Sequence, residues 1–318
     1  MFRRRAEKLF LYTLPLLFFA CLPAEAGETD QYLTWTVELE DSAPALNAYL
    51  DREIRAFVEK MNRRNDKVDD PAAFTAACFQ HLFGGLFASR LRNWLKNAEE
   101  VDRFPSDGLS DWEYQRMSVL REPAFPFILP MAQTIRVGDV YLGIDKIGHM
   151  FGFGRRYVQR YHRHRDAGEA HDEALDRVLA WGLRQELTLV GKLVDGIFSH
   201  ADLEANYQGF RLARVLYHGP DALFYRDGDA WRYRGGLDIR DFVTPDMDES
   251  YNTNDYAGWR ARLVTPIVEE RYAPLEETDA VRDRFRRYAR DYAPSRSKRF
   301  VDAWFERDRD DSGALARK

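Results

Sequence analysis

Cysteine is scarce in this sequence, which contains only Cys21 and Cys78. Cys21 lies in the N-terminal segment, so removal of that segment would leave one cysteine and exclude an intrachain disulfide. This pattern excludes the class of small exported domains that disulfides hold together. Cys78 lies in an apolar run, and we expect it to be a small buried residue and not a nucleophile.

Long apolar runs, basic stripes and familiar catalytic motifs are also missing. After residue 26 no stretch reaches the roughly 18 consecutive apolar residues that indicate a membrane-spanning helix. The formal net charge is -5 and basic residues alternate with acidic ones, which excludes a nucleic-acid-binding stripe. The phosphate-loop, serine-hydrolase and zinc-protease motifs are absent.

The first 26 residues have the pattern of an export signal. A basic segment precedes a short apolar run at 9–22, and residues 24–26 have the A-x-A form of a cleavage site, with Gly27 as the first mature residue. We therefore predict a periplasmic or secreted protein after cleavage near Ala26. Lipid anchoring at Cys21 is a less favoured alternative, because the bulky residues before it make a poor acceptor sequence.

The remaining sequence predicts a mainly α fold, a compact helical bundle with a few minor strands or hairpins. We expect a single mostly helical domain at 27–318, with a helical core at about 140–215 and a frayed tail at about 307–318. Helical spacing of apolar residues predicts helices at 43–61, 71–97, 111–121, 145–165, 170–194, 202–218, 278–292 and 297–305. Alternating apolar residues predict a strand at 32–39 and a strand or small hairpin at 134–144. Asp227-Gly228 predicts the turn of a hairpin at 222–233.

Polar residues interrupt three of these helices. The first group begins the helix at 145–165, and the third begins the helix at 202–218. The second group is a single glutamate, which lies in the apolar stripe formed by Leu175, Leu179, Leu183, Val190 and Leu193. Buried charges and amides are costly unless they satisfy one another, so we expect the three groups to meet. Their members are Asp145, Lys146, His149, Glu186, Ser199, Asp202 and Asn206.

These residues have structural as well as functional interpretations. Asp145 and Ser199 are suited to capping their helices, and His149 and Asn206 could form hydrogen bonds within the core. Three residues are candidates for catalysis or for metal binding: His149, Glu186 and Asp202. The other four are candidates for ligand binding: Asp145, Lys146, Ser199 and Asn206. The residues alone identify neither a metal nor a cofactor.

Taken in order, the three groups resemble the VanZ-like family and the YfiM-type envelope lipoproteins. The pattern is D-K-x-x-H, then a helix with a glutamate, then S-x-x-D-L-x-x-N-x-x-G, and it covers about residues 140–215. The resemblance implies an envelope location and a helical core around the acidic, histidine and asparagine positions, but no reaction. VanZ-like proteins span the membrane several times, whereas the equivalent helices here carry Arg155, Arg160 and Arg177, which a bilayer excludes.

The first hypothesis is an exported bacterial envelope protein in which the polar residues have a structural or binding role. The alternative is a hydrolase that acts on an envelope lipid or glycan with the same residues. A third hypothesis assigns lipid or glycan binding to the Tyr/Trp-rich segment 251–259, which lies in an acidic, aromatic stretch at 246–259 whose role the residues alone do not identify. The expected partner is a cell-envelope lipid, glycan or protein, and not a nucleic acid.

Overall fold

The computed structural model describes residues 27–64, 68–85, 88–106, 108–121, 131–188, 191–193 and 195–315. The predicted export signal, with Cys21, lies outside these residues. The described part contains eleven α-helices and four small antiparallel sheets, which confirms the mainly α class. None of its helices combines the length and apolar character that crossing a membrane requires.

The elements follow one another along the chain as helices separated by short strands. The helices are α1 (Ala43–Arg63), α2 (Pro71–Phe83), α3 (Arg90–Asn97), α4 (Asp111–Met117), α5 (Ile144–Asp166), α6 (His171–Leu187), α7 (His200–Tyr217), α8 (Gly258–Arg271), α9 (Ala273–Glu276), α10 (Asp279–Asp291) and α11 (Arg296–Leu315). The strands are β1 (Gly84–Gly85), β2 (Ala88–Ser89), β3 (Arg103–Phe104), β4 (Thr134–Val137), β5 (Val140–Gly143), β6 (Ile197–Phe198), β7 (Phe224–Asp227), β8 (Ala230–Tyr233) and β9 (Asp255–Tyr256). They pair as β1-β2, β3-β4-β5, β6-β9 and β7-β8.

Several predictions of local structure are confirmed. Helices α1, α5, α7 and α10 begin and end within a few residues of the predicted bounds. The hairpin predicted at 134–144 forms from β4 and β5, which turn at Gly138 with φ 59°. The hairpin predicted at 222–233 forms from β7 and β8 and turns at Gly228, also with φ 59°. Glycine suits both turns because it adopts positive φ without strain.

The strand predicted at 32–39 is wrong. Residues Gln31–Thr34 form a 3-10 turn, which Asp30 caps by accepting a hydrogen bond from the backbone N–H of Tyr32 at 3.0 Å. The rings of Tyr32 and Trp35 lie 5.2 Å apart and are buried together. The alternation of apolar residues therefore reflects aromatic packing around a turn and not pairing with a neighbouring strand.

The single helix predicted at 71–97 is two helices. Helix α2 ends at Phe83, and the C-cap residue that follows, Gly84, has a φ of 87° that a side-chain-bearing residue rarely adopts. Helix α3 begins after Ser89, whose hydroxyl accepts a hydrogen bond from the backbone N–H of Arg92. The apolar residues on both sides of the break conceal it in the sequence.

Three later helices also differ from the prediction. Helix α6 ends at Leu187 and not near 194; Val190 lies outside the described residues, and Leu193 lies in a turn with 74% of its surface exposed. Helix α8 was not predicted, because its buried face includes Arg260 and it contains Pro266. Helix α11 continues to Leu315, past the predicted helix end at 305.

Two glycines allow α5 and α7 to pack backbone against backbone at the centre of the fold. A Cβ atom at Gly209 would lie 1.9 Å from the carbonyl oxygen of Met150, and one at Gly154 would lie 2.8 Å from the Cα atom of Gly209. No side chain fits in either space. This contact brings the N-terminal halves of the two helices, which carry the predicted polar residues, face to face.

We predict that Gly209→Ala destabilises the protein by about 1–3 kcal/mol or more, because the methyl group forces two backbones apart. Urea denaturation measures this loss. Gly258→Ala is the matched control, since it also lies in a helix but a Cβ atom there meets nothing within 4 Å. Equal stabilities for the two variants would contradict the close-contact argument.

Candidate functional site

A lysine ammonium group lies at the centre of the predicted polar residues. Lys146 Nζ is 2.6 Å from Asp145 Oδ2, 2.7 Å from Asp202 Oδ1 and 2.6 Å from Glu249 Oε1. The side chain is fully buried. An ammonium group has three protons, so each can be directed at one carboxylate. Burial alone would lower the pKa of Lys146, but the surrounding carboxylates hold it well above its usual value.

Hydroxyl groups and backbone amides complete this arrangement. Thr29 Oγ1 donates a hydrogen bond to Asp145 Oδ1 at 2.6 Å, and Ser199 Oγ donates one to Glu249 Oε1 at 2.9 Å. The backbone N–H of Ser199 donates to Glu186 Oε1 at 3.1 Å. Burial raises the pKa of Asp145, but the pKa lies below its usual value because the charge and hydrogen bond of Lys146 and the hydrogen bond from Thr29 outweigh burial.

His149 joins the arrangement from the next turn of α5. Its Nδ1 atom lies 3.1 Å from Asn206 Oδ1, and because an amide oxygen only accepts, Nδ1 carries the proton of this bond. Its Nε2 atom lies 3.3 Å from Asp202 Oδ2, which is ion-pair distance but not hydrogen-bond geometry. The ring stacks on Phe153 with 5.3 Å between centroids.

We call this set the polar network: Thr29, Asp145, Lys146, His149, Glu186, Ser199, Asp202, Asn206 and Glu249. It contains all seven residues predicted from the sequence to meet. Of the two helix-capping roles predicted for these residues, one is confirmed and one is wrong. Ser199 caps α7 by accepting a hydrogen bond from the N–H of Asp202, whereas Gly143 and not Asp145 is the N-cap residue of α5.

Four residues in or beside the polar network were not predicted from the sequence. Thr29 and Glu249 belong to the polar network, while Glu28 and Asp195 lie beside it, buried and close enough to interact electrostatically. None of the four lies in a helix, so helical spacing gave no indication of them. Only Asp195 could have been suspected from the sequence, because it lies between the predicted site residues Glu186 and Ser199.

The polar network and its neighbours hold more carboxyl groups than cations. Burial, followed by the charge of Asp202, raises the pKa of Glu186 well above its usual value. Burial is also the main cause that raises the pKa of Asp195 to about 7 and that of Glu249 to about 7. Burial and then Asp195 raise the pKa of Glu28 well above its usual value. Some of these acids therefore retain protons near neutral pH.

The position between the carboxylates is occupied by Lys146 Nζ. Among the described residues, no group of three or more His, Cys, Asp or Glu side chains is arranged to hold a metal ion. The three candidates for metal binding, His149, Glu186 and Asp202, thus belong to an arrangement whose cation is an ammonium group.

Four surface clefts formed by described residues are lined by side chains outside the polar network. One of them, of about 630 Å³, lies between α11, His200 and the segment 251–256. We call it the α11 cleft. Only 12% of the His200 side chain is exposed, and its Nε2 atom lies 3.2 Å from Asp255 Oδ2.

No family model, curated protein or solved structure matches this chain. The resemblance to the VanZ-like and YfiM-type families therefore stays a prediction.

We predict that Lys146→Met destabilises the protein by about 3–5 kcal/mol, because it leaves three buried carboxylates without their cation. The loss should be smaller at pH 5 than at pH 8, since protonation removes the uncompensated charges. Urea denaturation at both pH values measures this difference. Lys298→Met, which removes a surface pair with Asp302, is the control and should change stability by about 0.5 kcal/mol or less.

A second prediction concerns the contribution of Asp195 to the pH dependence of folding stability. The pKa of Asp195 is about 7 in the folded protein, above its unfolded value of about 3.9, so folding binds a proton between these values and stability falls as pH rises through them. Asp195→Asn should reduce this slope by at most about 1.4 kcal/mol per pH unit. Stability curves from pH 4 to 8 test this, with the exposed Asp221→Asn as control. An unchanged slope would contradict the raised pKa.

Proposed function

We propose that this protein is an exported bacterial envelope protein that binds a glycan, and that the polar network supports the binding surface without contacting the ligand. The observation that carries the proposal is the fully buried Lys146, whose three protons are directed at carboxylates from three separate segments. The export pattern before Gly27 and the VanZ-like pattern support the envelope location.

The polar network fixes the acidic, aromatic segment to the core. Glu249 contacts Lys146 and Ser199. The next residue, Ser250, accepts a hydrogen bond from Trp35 Nε1 at 2.8 Å. Asp248 accepts one from the hydroxyl of Tyr288 at 3.3 Å. Five of the six residues that follow line the α11 cleft, so the fixed segment 248–250 positions one wall of this cleft. They are Tyr251, Asn252, Thr253, Asp255 and Tyr256.

The chemistry of the α11 cleft suits a saccharide. Tyr251 and Phe305 offer ring surface for the C–H faces of a sugar, and Asn252, Asp255 and Asp302 offer groups for its hydroxyls. The lining holds Lys192 and Lys298 beside its three carboxylates, so the charges nearly balance and a phosphate group is not strongly attracted. The polar lining also makes burial of an acyl chain costly. A neutral glycan is therefore favoured over a lipid or a nucleotide.

The alternative function is a hydrolase of an envelope component. It is favoured by one observation: the raised pKa values of Glu186 and Asp195 would let a carboxylic acid act as a proton donor near neutral pH, close to His149. Catalysis at these atoms requires the buried polar network to open to substrate.

We predict that the chain 27–318 binds chitotetraose, an uncharged acetamido oligosaccharide, and that Asp255→Asn combined with Asp302→Asn weakens binding about tenfold or more through lost charged hydrogen bonds. NMR titration measures both affinities. The matched control is Asp176→Asn in the cleft between α6 and α11, which should leave affinity unchanged.

Three results would contradict glycan binding at this cleft. They are no binding of the oligosaccharide, equal affinity for the wild type and the double variant, and binding only to phosphatidylglycerol vesicles. Hydrolysis of the oligosaccharide that Glu186→Gln abolishes, while the variant stays folded, would instead favour the enzyme.

A further inference from the structure

The residues that follow the predicted cleavage site are built into the core. Gly27 is buried, and a Cβ atom there would lie 3.6 Å from Asp145 Cβ and 3.1 Å from Arg92 Nη2. Glu28 forms a parallel bridge with Met131, and its carbonyl oxygen accepts a hydrogen bond from Ala132. Standard backbone dimensions place the Gly27 nitrogen within about 6 Å of Asp145 Cβ.

The surroundings of the Gly27 nitrogen carry an excess of acidic groups. Arg92 of α3 and Lys146 of α5 are positively charged, and Arg260 of α8 lies beside Asp195. The acidic groups on the packed segments are more numerous: Glu28, Asp145, Glu186, Asp195, Asp202 and Glu249. One oxygen of Glu28, Oε2, is buried without a hydrogen-bond partner among the described residues.

We propose that cleavage after Ala26 completes the polar network, because the α-ammonium group released at Gly27 is an additional cation for Asp145 and Glu28. Hydrolysis of the Ala26–Gly27 bond consumes one water, leaving a carboxylate on Ala26 and an ammonium group on Gly27. A neutral amide is thereby replaced by a positive charge at the edge of an acidic cluster. This inference rests on the proposed export but concerns a different property, the stability of the processed chain.

The sign of the effect follows from the charges. Arg92 repels the new ammonium group, whereas the charge of Lys146 is already balanced by the three carboxylates around it. Asp145 attracts the ammonium group, and so does Glu28, which has an unpartnered oxygen and gives up its proton more readily beside a cation. An α-amino group ordinarily has a pKa of about 7.7–8.0. An amine stabilised in its charged form in the folded state contributes stability below that pKa and loses it as the pH rises through its higher folded value.

The test uses two forms of the chain 27–318 that differ only at the N-terminus, one with a free α-amine and one acetylated at Gly27. We expect the free-amine form to melt about 3 °C or more above the acetylated form at pH 7. The difference should vanish above about pH 10, where the amine is neutral. Equal melting temperatures at pH 7, or a difference that persists at pH 11, would overturn the proposal.

A second pair of proteins separates a local charge effect from a general effect of acetylation. Glu28→Gln removes one nearby carboxyl group and should reduce the difference in melting temperature between the two forms. The exposed Glu99→Gln should leave that difference unchanged. N-terminal sequencing of the full chain after expression in a bacterium tests the cleavage itself, so failure of export and failure of the ammonium effect give separate results.

Discussion

The structure depends on one buried ammonium group. Lys146 Nζ lies within 2.7 Å of carboxylates from α5, from α7 and from the segment that contains Glu249. A buried charge is stable only where partners replace its water shell, so each of these segments must occupy its observed position for the others to be stable. The ammonium group therefore acts as a shared connection among parts of the chain that are far apart in sequence.

The close contact of α5 and α7 and the polar network are two parts of one arrangement. Gly154 and Gly209 bring the helices together, and that proximity places Asp202 and Asn206 within reach of Lys146 and His149. Apolar packing alone tolerates several helix registers, whereas a network of directed contacts favours one. Such a network is suited to holding a surface segment in a fixed position.

The sequence predicted the helical class and seven members of the polar network because those residues interrupt an apolar helical pattern. The same reasoning could not find Thr29 or Glu249, which lie in irregular segments where no periodicity marks an inward-facing side chain. The strand predicted at 32–39 failed because an alternating aromatic pattern fits a turn packed on the core as well as a strand. Tertiary contacts, invisible in local sequence, decided these positions.

The pairing of distant segments has a consequence for how the protein is made. Thr29 and Asp145 are 116 residues apart, and Trp35 and Ser250 are 215 residues apart, yet both pairs are hydrogen-bonded in the core. A ribosome must synthesise the chain as far as residue 145 before Thr29 can meet its partner, and as far as residue 250 before Trp35 can meet its own. Until then the segment that contains Thr29 and Trp35 cannot reach its native position, and it stays accessible to chaperones and proteases.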